Sequence, residues 1–209
     1  QYNSQQSPSG TNVYVSNCLF RSITSTGSGG ALYCTSVTDL LIESSSFFSC
    51  KTSAHDGGAI YLSTKQCVLH EVCGYDCYST HGSYPYYQFA YVSANNVASN
   101  KNYVNHSSIA RCVTDRTTSF FTLALDKGSV CCTSVNISLT KCQYHSPLHC
   151  IPYVDSSSVT CSLLYSTFAD NIAFGHVCIS FENSAKYEIK CCNILRNTES
   201  SSGTDGIIW

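Results

Sequence analysis

A gapless internal repeat in the first third of the chain is the feature that most constrains its fold. Residues 18–33 read CLFRSITSTGSGGALY and residues 46–61 read SFFSCKTSAHDGGAIY, so the two segments align 28 positions apart. An internal period of about 20–50 residues is typical of solenoids, propellers and other repeat architectures. A fold of stacked, similar units is therefore the first expectation.

Two positions of this repeat recur along the whole chain. The first column holds a small residue three places after an apolar one, and its predicted members are Ser22, Cys50, Cys77, Cys112, Cys142, Asn171 and Asn197. The second column holds a short apolar patch about ten residues later, with Leu32, Ile60, Ala90, Leu123, Ile151, Cys178 and Ile207. Spacings of 26–35 residues in the first column predict about seven units.

Each unit consists of short β-type segments separated by Ser, Thr, Gly, Asp and Asn. Segments such as LLIE, SSSFF and AIYLS favour strands, and no stretch keeps the 3.6-residue period of an amphipathic helix. Propeller blades need about 40 residues and four strands, so shorter units with three strands fit a β-solenoid better. We predict that residues 1–209 form a single all-β domain, a parallel β-helix of about seven coils that belongs to a longer solenoid.

The paired motif resembles the repeats of the polymorphic outer-membrane proteins, which are passenger domains of bacterial autotransporter adhesins. Similar repeats with Cys in place of Asn occur in large surface proteins of parasitic protists. The residues that carry the resemblance are Phe47-x-x-Cys50 with Gly57-Gly-Ala-Ile60, and Leu19-x-x-Ser22 with Gly29-Gly-Ala-Leu32. The resemblance implies a right-handed parallel β-helix exposed outside the cell, and the complete motif is confined to residues 18–61.

Composition narrows the partners and the compartment. Charged residues make up 11% of the chain and the net charge is −2, so no electrostatic argument favours nucleic acid or an anionic membrane. Fifteen cysteines indicate an oxidising, extracellular or cell-surface location. The sequons at Asn105 and Asn136 indicate the same location as candidate glycosylation sites. The longest apolar stretch, residues 172–181, is too short to span a bilayer, so a membrane anchor, if any, lies outside this segment.

The cysteines of the first column are candidates for disulfides. If Cys50, Cys77, Cys112 and Cys142 stack coil on coil, neighbouring Cα atoms are about 4.8 Å apart, which lies within the range of a disulfide. Bridges 50–77 and 112–142 are one interpretation, and a ladder of buried thiols that act as small hydrophobes is the other. Groups such as His70 with Cys73 lack the paired spacing of a structural zinc site, so no metal or cofactor is predicted.

One row of acids raises the possibility of an enzyme. Asp126, Asp155 and Glu182 follow the apolar patch of three successive coils, and carboxylates on one face of a β-helix are what cleavage of a polysaccharide requires. The alternative is that these residues are turn residues at strand ends. We predict no enzyme, and keep a carbohydrate-active enzyme, a polysaccharide lyase or glycoside hydrolase, as the second hypothesis.

A tyrosine-rich loop is not explained by the stacking of coils alone. Residues 81–88 read HGSYPYYQ, and Tyr84, Tyr86 and Tyr87 are candidate contacts, since rigid aromatic side chains bind at low entropic cost. The loop can equally cover the side of the solenoid. The predicted function is an extracellular adhesin or a structural stalk or fibre. Its predicted partners are a host or neighbouring cell surface, glycans, or other copies of the chain bound end to end.

Overall fold

The computed structural model describes residues 1–53, 56–80, 87–112, 120–142, 145–173, 178–199 and 208. These residues form 26 strands and no helix. The strands pair in parallel and are arranged in three long sheets and two short ones. The strands are numbered β1 to β26 in chain order.

The first sheet has seven strands of five to seven residues each. They are Gly10–Ser16 (β1), Val37–Glu43 (β5), Gln66–His70 (β9), Lys101–Asn105 (β13), Ser129–Thr133 (β16), Val159–Leu164 (β20) and Lys186–Lys190 (β24).

The second sheet also has seven strands, each three residues long. They are Leu19–Arg21 (β2), Ser46–Phe48 (β6), Cys73–Tyr75 (β10), Ser108–Ala110 (β14), Asn136–Ser138 (β17), Thr167–Ala169 (β21) and Asn193–Leu195 (β25).

The third sheet has six strands and is followed by the return to the first sheet. They are Leu32–Cys34 (β4), Ile60–Ser63 (β8), Tyr87–Ser93 (β12), Phe121–Asp126 (β15), Leu148–Ile151 (β19) and Ile179–Phe181 (β23). Between the second and third sheets lie the two short sheets, with strands Thr24–Ser25 (β3), Lys51–Thr52 (β7) and Tyr78–Ser79 (β11), and Lys141–Cys142 (β18), Ile172–Ala173 (β22) and Thr198–Glu199 (β26).

The chain therefore winds from the first sheet to the second, then to the third, and returns one step along the axis. Each strand pairs with the equivalent strand of the next coil, as β1 does with β5 and β5 with β9. About six turns result, close to the predicted seven. The prediction of an all-β parallel β-helix is confirmed, and right-handed winding is expected from the general preference of parallel crossovers.

Two corners in every coil are made by a residue in the left-handed region. Among the described residues, fourteen of the sixteen non-glycine residues with positive φ occupy these corners. They are Asn17, Ser44, Glu71, His106, Ser134, Tyr165 and Cys191 before the second sheet, and Ser22, Ser49, Asp76, Arg111, Leu139, Asp170 and Arg196 after it. This conformation is unfavourable for side chains with a Cβ. Stacking offsets the cost, because the corner N–H groups bond to carbonyls of the next coil; that of Ser44 lies 3.0 Å from the His70 oxygen.

The register of the second sheet corrects two members of the first column. Phe20 lies opposite Phe47, and Ile109 lies opposite Ile137. Three residues after each of these inward side chains the column reads Ile23, Cys50, Cys77, Cys112, Thr140, Asn171 and Asn197. The predicted members Ser22 and Cys142 were wrong, because two apolar residues near each strand were possible starting points for the count.

The second column is correct for its first four members and shifts afterwards. Ile60 pairs with Leu32 and Ala90, and Leu123 pairs with Ala90. The following members are Leu148 and Ile179 rather than Ile151 and Cys178. Ile207 lies outside the described residues, and Ile208 forms a bridge to Ile179.

At the C-terminal end the first column is an asparagine ladder, as expected for a bend in a solenoid. The Asn171 amide nitrogen donates to the Ile137 oxygen and to the Asn197 side chain, both at 2.9 Å. The Thr140 hydroxyl donates to Asn171 Oδ1 at 2.8 Å. These bonds satisfy backbone and side-chain groups that have no access to water.

Candidate functional site

All fifteen cysteines are free thiols in the structure, so neither predicted bridge is present. Cys50, Cys77 and Cys112 are buried in one column, and the Cys50 N–H donates to Cys77 Sγ at 3.4 Å. Thr140 follows Cys112 in this column. Cys142 instead lies in register with Ala173, with its sulfur 3.5 Å from Thr122 Oγ1, so the stacking expected for a bridge 112–142 is absent.

Burial makes most of these thiols unreactive. It raises the pKa of Cys34, Cys142 and Cys178 from 9.0 to about 12, and the reactive thiolate is correspondingly scarce. Burial also raises the pKa of Cys77 in the ladder, and Cys50 and Cys112 are buried with it. The ladder cysteines therefore behave as small core residues, which was the alternative interpretation of the ladder. Cys73 and Cys191 differ, since both are exposed.

The two sequon asparagines both face outward at the edges of strands. Asn105 is half-buried at the end of β13 and Asn136 is exposed at the start of β17. Ser107 of the first sequon has a separate role in the fold, because its buried hydroxyl accepts a hydrogen bond from Val72 N–H and donates to the Asn105 oxygen. Glycosylation of either asparagine stays a prediction.

The acidic row is only partly aligned. Asp155 lies in an exposed turn, where hydrogen bonds from Ser157 and Ser158 hold the pKa of its carboxyl below the usual range; this is the turn-residue alternative. Asp126 and Glu182 lie on the same face two coils apart. Asp126 is in register with Ile151. On the next strand Phe181 is in register with Cys150, so Glu182, which follows Phe181, lies beside Ile151. Asp126 is nine-tenths buried.

The structure also places a Ser–His–Glu group on the outer face of the third sheet. His149 Nδ1 lies 3.3 Å from Ser180 Oγ, and its Nε2 lies 3.5 Å from Glu182 Oε1. Ser180 is 1% exposed and His149 is 2% exposed, and the imidazole stacks on Phe121 at 4.0 Å. A substrate has no access to this serine, so the group is a polar ladder that links neighbouring strands.

The tyrosine-rich loop falls mainly outside the described residues, including Tyr84 and Tyr86. Tyr87 begins β12 and is part of an aromatic cluster, with ring centroids 4.7 Å from Tyr91 and 5.9 Å from Phe121. Burial raises the pKa of the Tyr87 hydroxyl. Tyr87 therefore packs on the side of the solenoid, which was one of the two interpretations of the loop.

The tyrosine that ends each copy of the internal repeat, Tyr33 in the first and Tyr61 in the second, belongs to a ladder of stacked rings. Tyr33, Tyr61 and Tyr91 lie in register on the outer face of the third sheet. The rings of Tyr33 and Tyr61 stack at 5.5 Å and 15°, and Tyr91 lies 5.2 Å from Tyr61. Because each ring covers the face of its neighbour, the ladder leaves mainly edges and hydroxyls for contact with a ligand.

A concave surface lies on the outer face of the first sheet. We call it the first-sheet groove; its lining includes Asn12, Tyr14, Asp39, Leu41, Gln66, Val68 and Lys101, and its volume is about 580 Å³. Leu41 and Val68 form an apolar floor, with Tyr14 before them and Tyr103 after them in the same column. Three steps between the two tyrosines span roughly 14 Å.

A polar row runs along one side of this floor. Gln66 Nε2 donates to Asp39 Oδ1 at 2.9 Å. With the Asn12 amide turned so that its nitrogen faces Asp39, that nitrogen donates to Asp39 Oδ2 at 3.1 Å. Lys101 continues the row on the next strand. On the other side the Tyr14 hydroxyl donates to the Glu43 carboxylate, which fixes the most exposed ring of the groove in position. The groove thus combines an apolar floor, the ring of Tyr14 at one end, and preordered amide and carboxylate groups. Tyr103 lies just beyond the other end, in register with Val68.

No site of this kind was predicted, although the period contains the signal. Tyr14, Leu41, Val68 and Tyr103 follow one another at intervals of 27, 27 and 35 residues. These intervals match the coil spacing, so the four outward side chains must share one column. Without the correct register they are unremarkable residues in separate segments.

Comparison of the chain with protein-family models, curated proteins and solved structures found no match. The described residues contain no helix that is long and apolar enough to cross a membrane. Within the same part of the chain, no group of three or more His, Cys, Asp and Glu residues is arranged to hold a metal ion.

Proposed function

We propose that this chain is an extracellular, cell-surface β-solenoid that acts as an adhesin and binds a neutral oligosaccharide in the first-sheet groove. The observation that supports the proposal is the groove itself. Its volume of about 580 Å³ lies within the usual range of ligand sites, about 300–1,000 Å³. The resemblance of residues 18–61 to surface-protein repeats is a second, independent support.

The chemistry of the groove suits a sugar better than a charged or wholly apolar ligand. Sugar rings have an apolar face, which packs on aliphatic and aromatic side chains, and hydroxyls that both donate and accept hydrogen bonds. The floor of Leu41 and Val68 meets the first requirement. Asp39 and Gln66 meet the second, because they already bond to each other and are held in place before a ligand arrives.

A stiff rod is a suitable support for such a surface. Each interior coil bonds to one neighbour on either side through three long sheets, so a groove that spans several coils keeps a fixed shape. Fixed geometry reduces the entropic cost of binding. The same rigidity suits a stalk or a fibre, and these structural roles are compatible with adhesion.

A binding assay with matched variants tests the proposal. The chain is tested on an array of neutral oligosaccharides built from glucose, galactose and N-acetylglucosamine. Tyr14→Ala and Tyr103→Ala should each weaken binding about two- to twelvefold, because one aromatic contact is worth about 0.5–1.5 kcal/mol. Tyr165→Ala is the control, since Tyr165 is 63% exposed, as Tyr14 is 60% exposed, but lies at a corner three coils beyond the floor. An array on which the wild type binds nothing would refute the proposal. Binding that survives both groove variants would refute the assignment to the groove.

A carbohydrate-active enzyme is the second candidate, and the alignment of Asp126 with Glu182 is the observation in its favour. Their spacing of two coils is roughly 10 Å between Cα atoms, near the separation of about 6.5–9.5 Å between the carboxyl groups of inverting glycosidases. Asp126 is engaged, however, by the Tyr91 and Ser93 hydroxyls at 2.9 and 3.1 Å. Release of reducing ends from a polysaccharide that is lost in Asp126→Asn would favour this candidate over the adhesin.

A further inference from the structure

A second concave surface lies on the outer face of the second sheet and differs in charge from the first. We call it the second-sheet groove; it is lined by Leu19, Arg21, Phe48, Ser49 and Tyr75 and has a volume of about 400 Å³. Arg21, Phe48 and Tyr75 are in register on three successive strands. Coil stacking thus places one cation and two aromatic rings in a row.

The two rings are available to a ligand, unlike those of the tyrosine ladder. Phe48 is 37% exposed and Tyr75 is 40% exposed. Their centroids are 6.1 Å apart and their planes are inclined at 44°, so neither ring covers the face of the other. The third-sheet pair Tyr33 and Tyr61, at 15°, shows the closed arrangement for comparison.

The guanidinium of Arg21 is also available. Among the ion pairs formed by the described residues none involves Arg21, whereas Arg196 is held by Asp170 at 2.6 Å. Asp76 follows Tyr75, but it lies at the corner and accepts a hydrogen bond from Ser49 at 2.8 Å. An exposed arginine at the end of an apolar platform favours a ligand that carries a carboxylate, which the planar guanidinium binds through two parallel hydrogen bonds.

We propose that the second-sheet groove is a binding site for a carboxylated sugar, with Arg21 on the carboxylate and Phe48 and Tyr75 against the apolar face of the ring. Sialic acids and uronic acids share this chemistry. The site is independent of the first-sheet groove. That groove lies on the outer face of a different sheet, has the carboxylate of Asp39 instead of an arginine at its centre, and is proposed to bind a neutral ligand. The volume of about 400 Å³ accommodates a single ring with its substituents.

Titration with three probes tests the site: 3′-sialyllactose, a hyaluronan tetrasaccharide as the source of glucuronic acid, and lactose as the neutral counterpart. Lactose is also a candidate ligand of the first-sheet groove, so the three probes are titrated against the Tyr14→Ala variant as well as the wild type. In that variant at least one carboxylated probe should bind at least about tenfold more tightly than lactose, the difference expected for a charge-assisted hydrogen-bonded pair. Binding should weaken as salt rises, because the contact is exposed and screened. Whichever probe binds identifies the sugar.

Variants separate a built site from general attraction by charge. Arg21→Gln and Phe48→Ala should each weaken binding of the carboxylated probe about tenfold or more. Arg196→Gln removes the same formal charge but not the site, so it should bind as the wild type does. Tyr14→Ala should also leave this binding unchanged, which keeps the outcome distinct from that of the first-sheet groove. Equal binding of all three probes, or full binding by Arg21→Gln, would overturn the proposal.

Discussion

The packing of Gly74 against Phe89 allows a quantitative test of the stacked core. The inward column of the second sheet reads Phe20, Phe47, Gly74, Ile109, Ile137, Phe168 and Ile194. Gly74 interrupts this run of large side chains, and Phe89 from the third sheet fills the space. Phe89 is fully buried, and its ring meets that of Phe47 edge-on at 6.2 Å.

Gly74→Ala is the perturbation. A Cβ at position 74 would lie 2.3 Å from Phe89 Cε2 and 2.7 Å from both Cδ2 and Cζ, so the ring or the strand must move. Overpacking of this kind typically costs about 1–3 kcal/mol. In a Phe89→Leu background Cε2 and Cζ are absent and most of the clash disappears. There the added methyl should be neutral, or stabilise by up to about 1 kcal/mol, because alanine restricts the unfolded chain more than glycine does.

A double-mutant cycle measures the difference. Wild type, Gly74→Ala, Phe89→Leu and the double variant are unfolded in guanidinium chloride and followed by far-ultraviolet circular dichroism, and free energies are compared at unchanged slope. Phe89→Leu alone should cost roughly 2 kcal/mol for the apolar carbons removed. The interaction energy should be about 1–4 kcal/mol in favour of the double variant, the cost of Gly74→Ala in the wild type plus any gain in the Phe89→Leu background. If Gly74→Ala has the same effect in both backgrounds, within about 0.5 kcal/mol, Phe89 does not occupy the space above Gly74.

Two further predictions concern buried polar groups. The pKa of Cys34, Cys142 and Cys178 is raised by burial from 9.0 to about 12, so the protonated thiols stabilise the fold below pH 9 and this contribution is lost as the pH rises towards 12. Alkaline titration of stability should show this loss, a Cys142→Ala variant should show a smaller one, and an unchanged profile would contradict it. Asn102→Ala should destabilise the fold by at least about 2 kcal/mol in denaturant unfolding. The reason is that the buried Asn102 amide nitrogen donates hydrogen bonds to the backbone oxygens of Val92, Asp126 and Lys127. A loss of stability below about 0.5 kcal/mol would refute that role.

The fold was predictable because a solenoid repeats its constraints. A residue that suits one coil suits the next, so the period survives even where the motif is lost. The exact register was harder to predict, since Leu19 and Phe20 are both apolar and only one of them faces inward. A count begun from the wrong neighbour moves the column by one residue, as it did for Ser22. For Cys142 the count began at Leu139, an exposed corner residue, instead of Ile137 in the core.

The chemistry of the cysteines was less predictable than their positions. Their number favoured disulfides, yet Cys50 occupies the same column as Ile23 and Asn171, where any small or compact side chain closes the bend. A free thiol fills the space at this bend, so the packing does not require a disulfide. The cysteine content therefore loses much of its weight as an indication of compartment, and the proposed cell-surface location depends mainly on the resemblance of the repeat.

The distribution of side chains on the outer faces argues that the first coils carry the binding surfaces. The outward column of the first sheet reads Tyr14, Leu41, Val68, Tyr103, Cys131, Ser162 and Glu188, and that of the second sheet reads Arg21, Phe48, Tyr75, Ala110, Ser138, Ala169 and Leu195. Both columns change from large apolar or aromatic residues to mainly small or polar ones along the axis. The stacked core does not require this change, because these side chains point away from it. Exposed aromatic side chains contribute little to the stability of the fold, so their concentration on two adjacent faces of the same coils supports the two proposed binding sites.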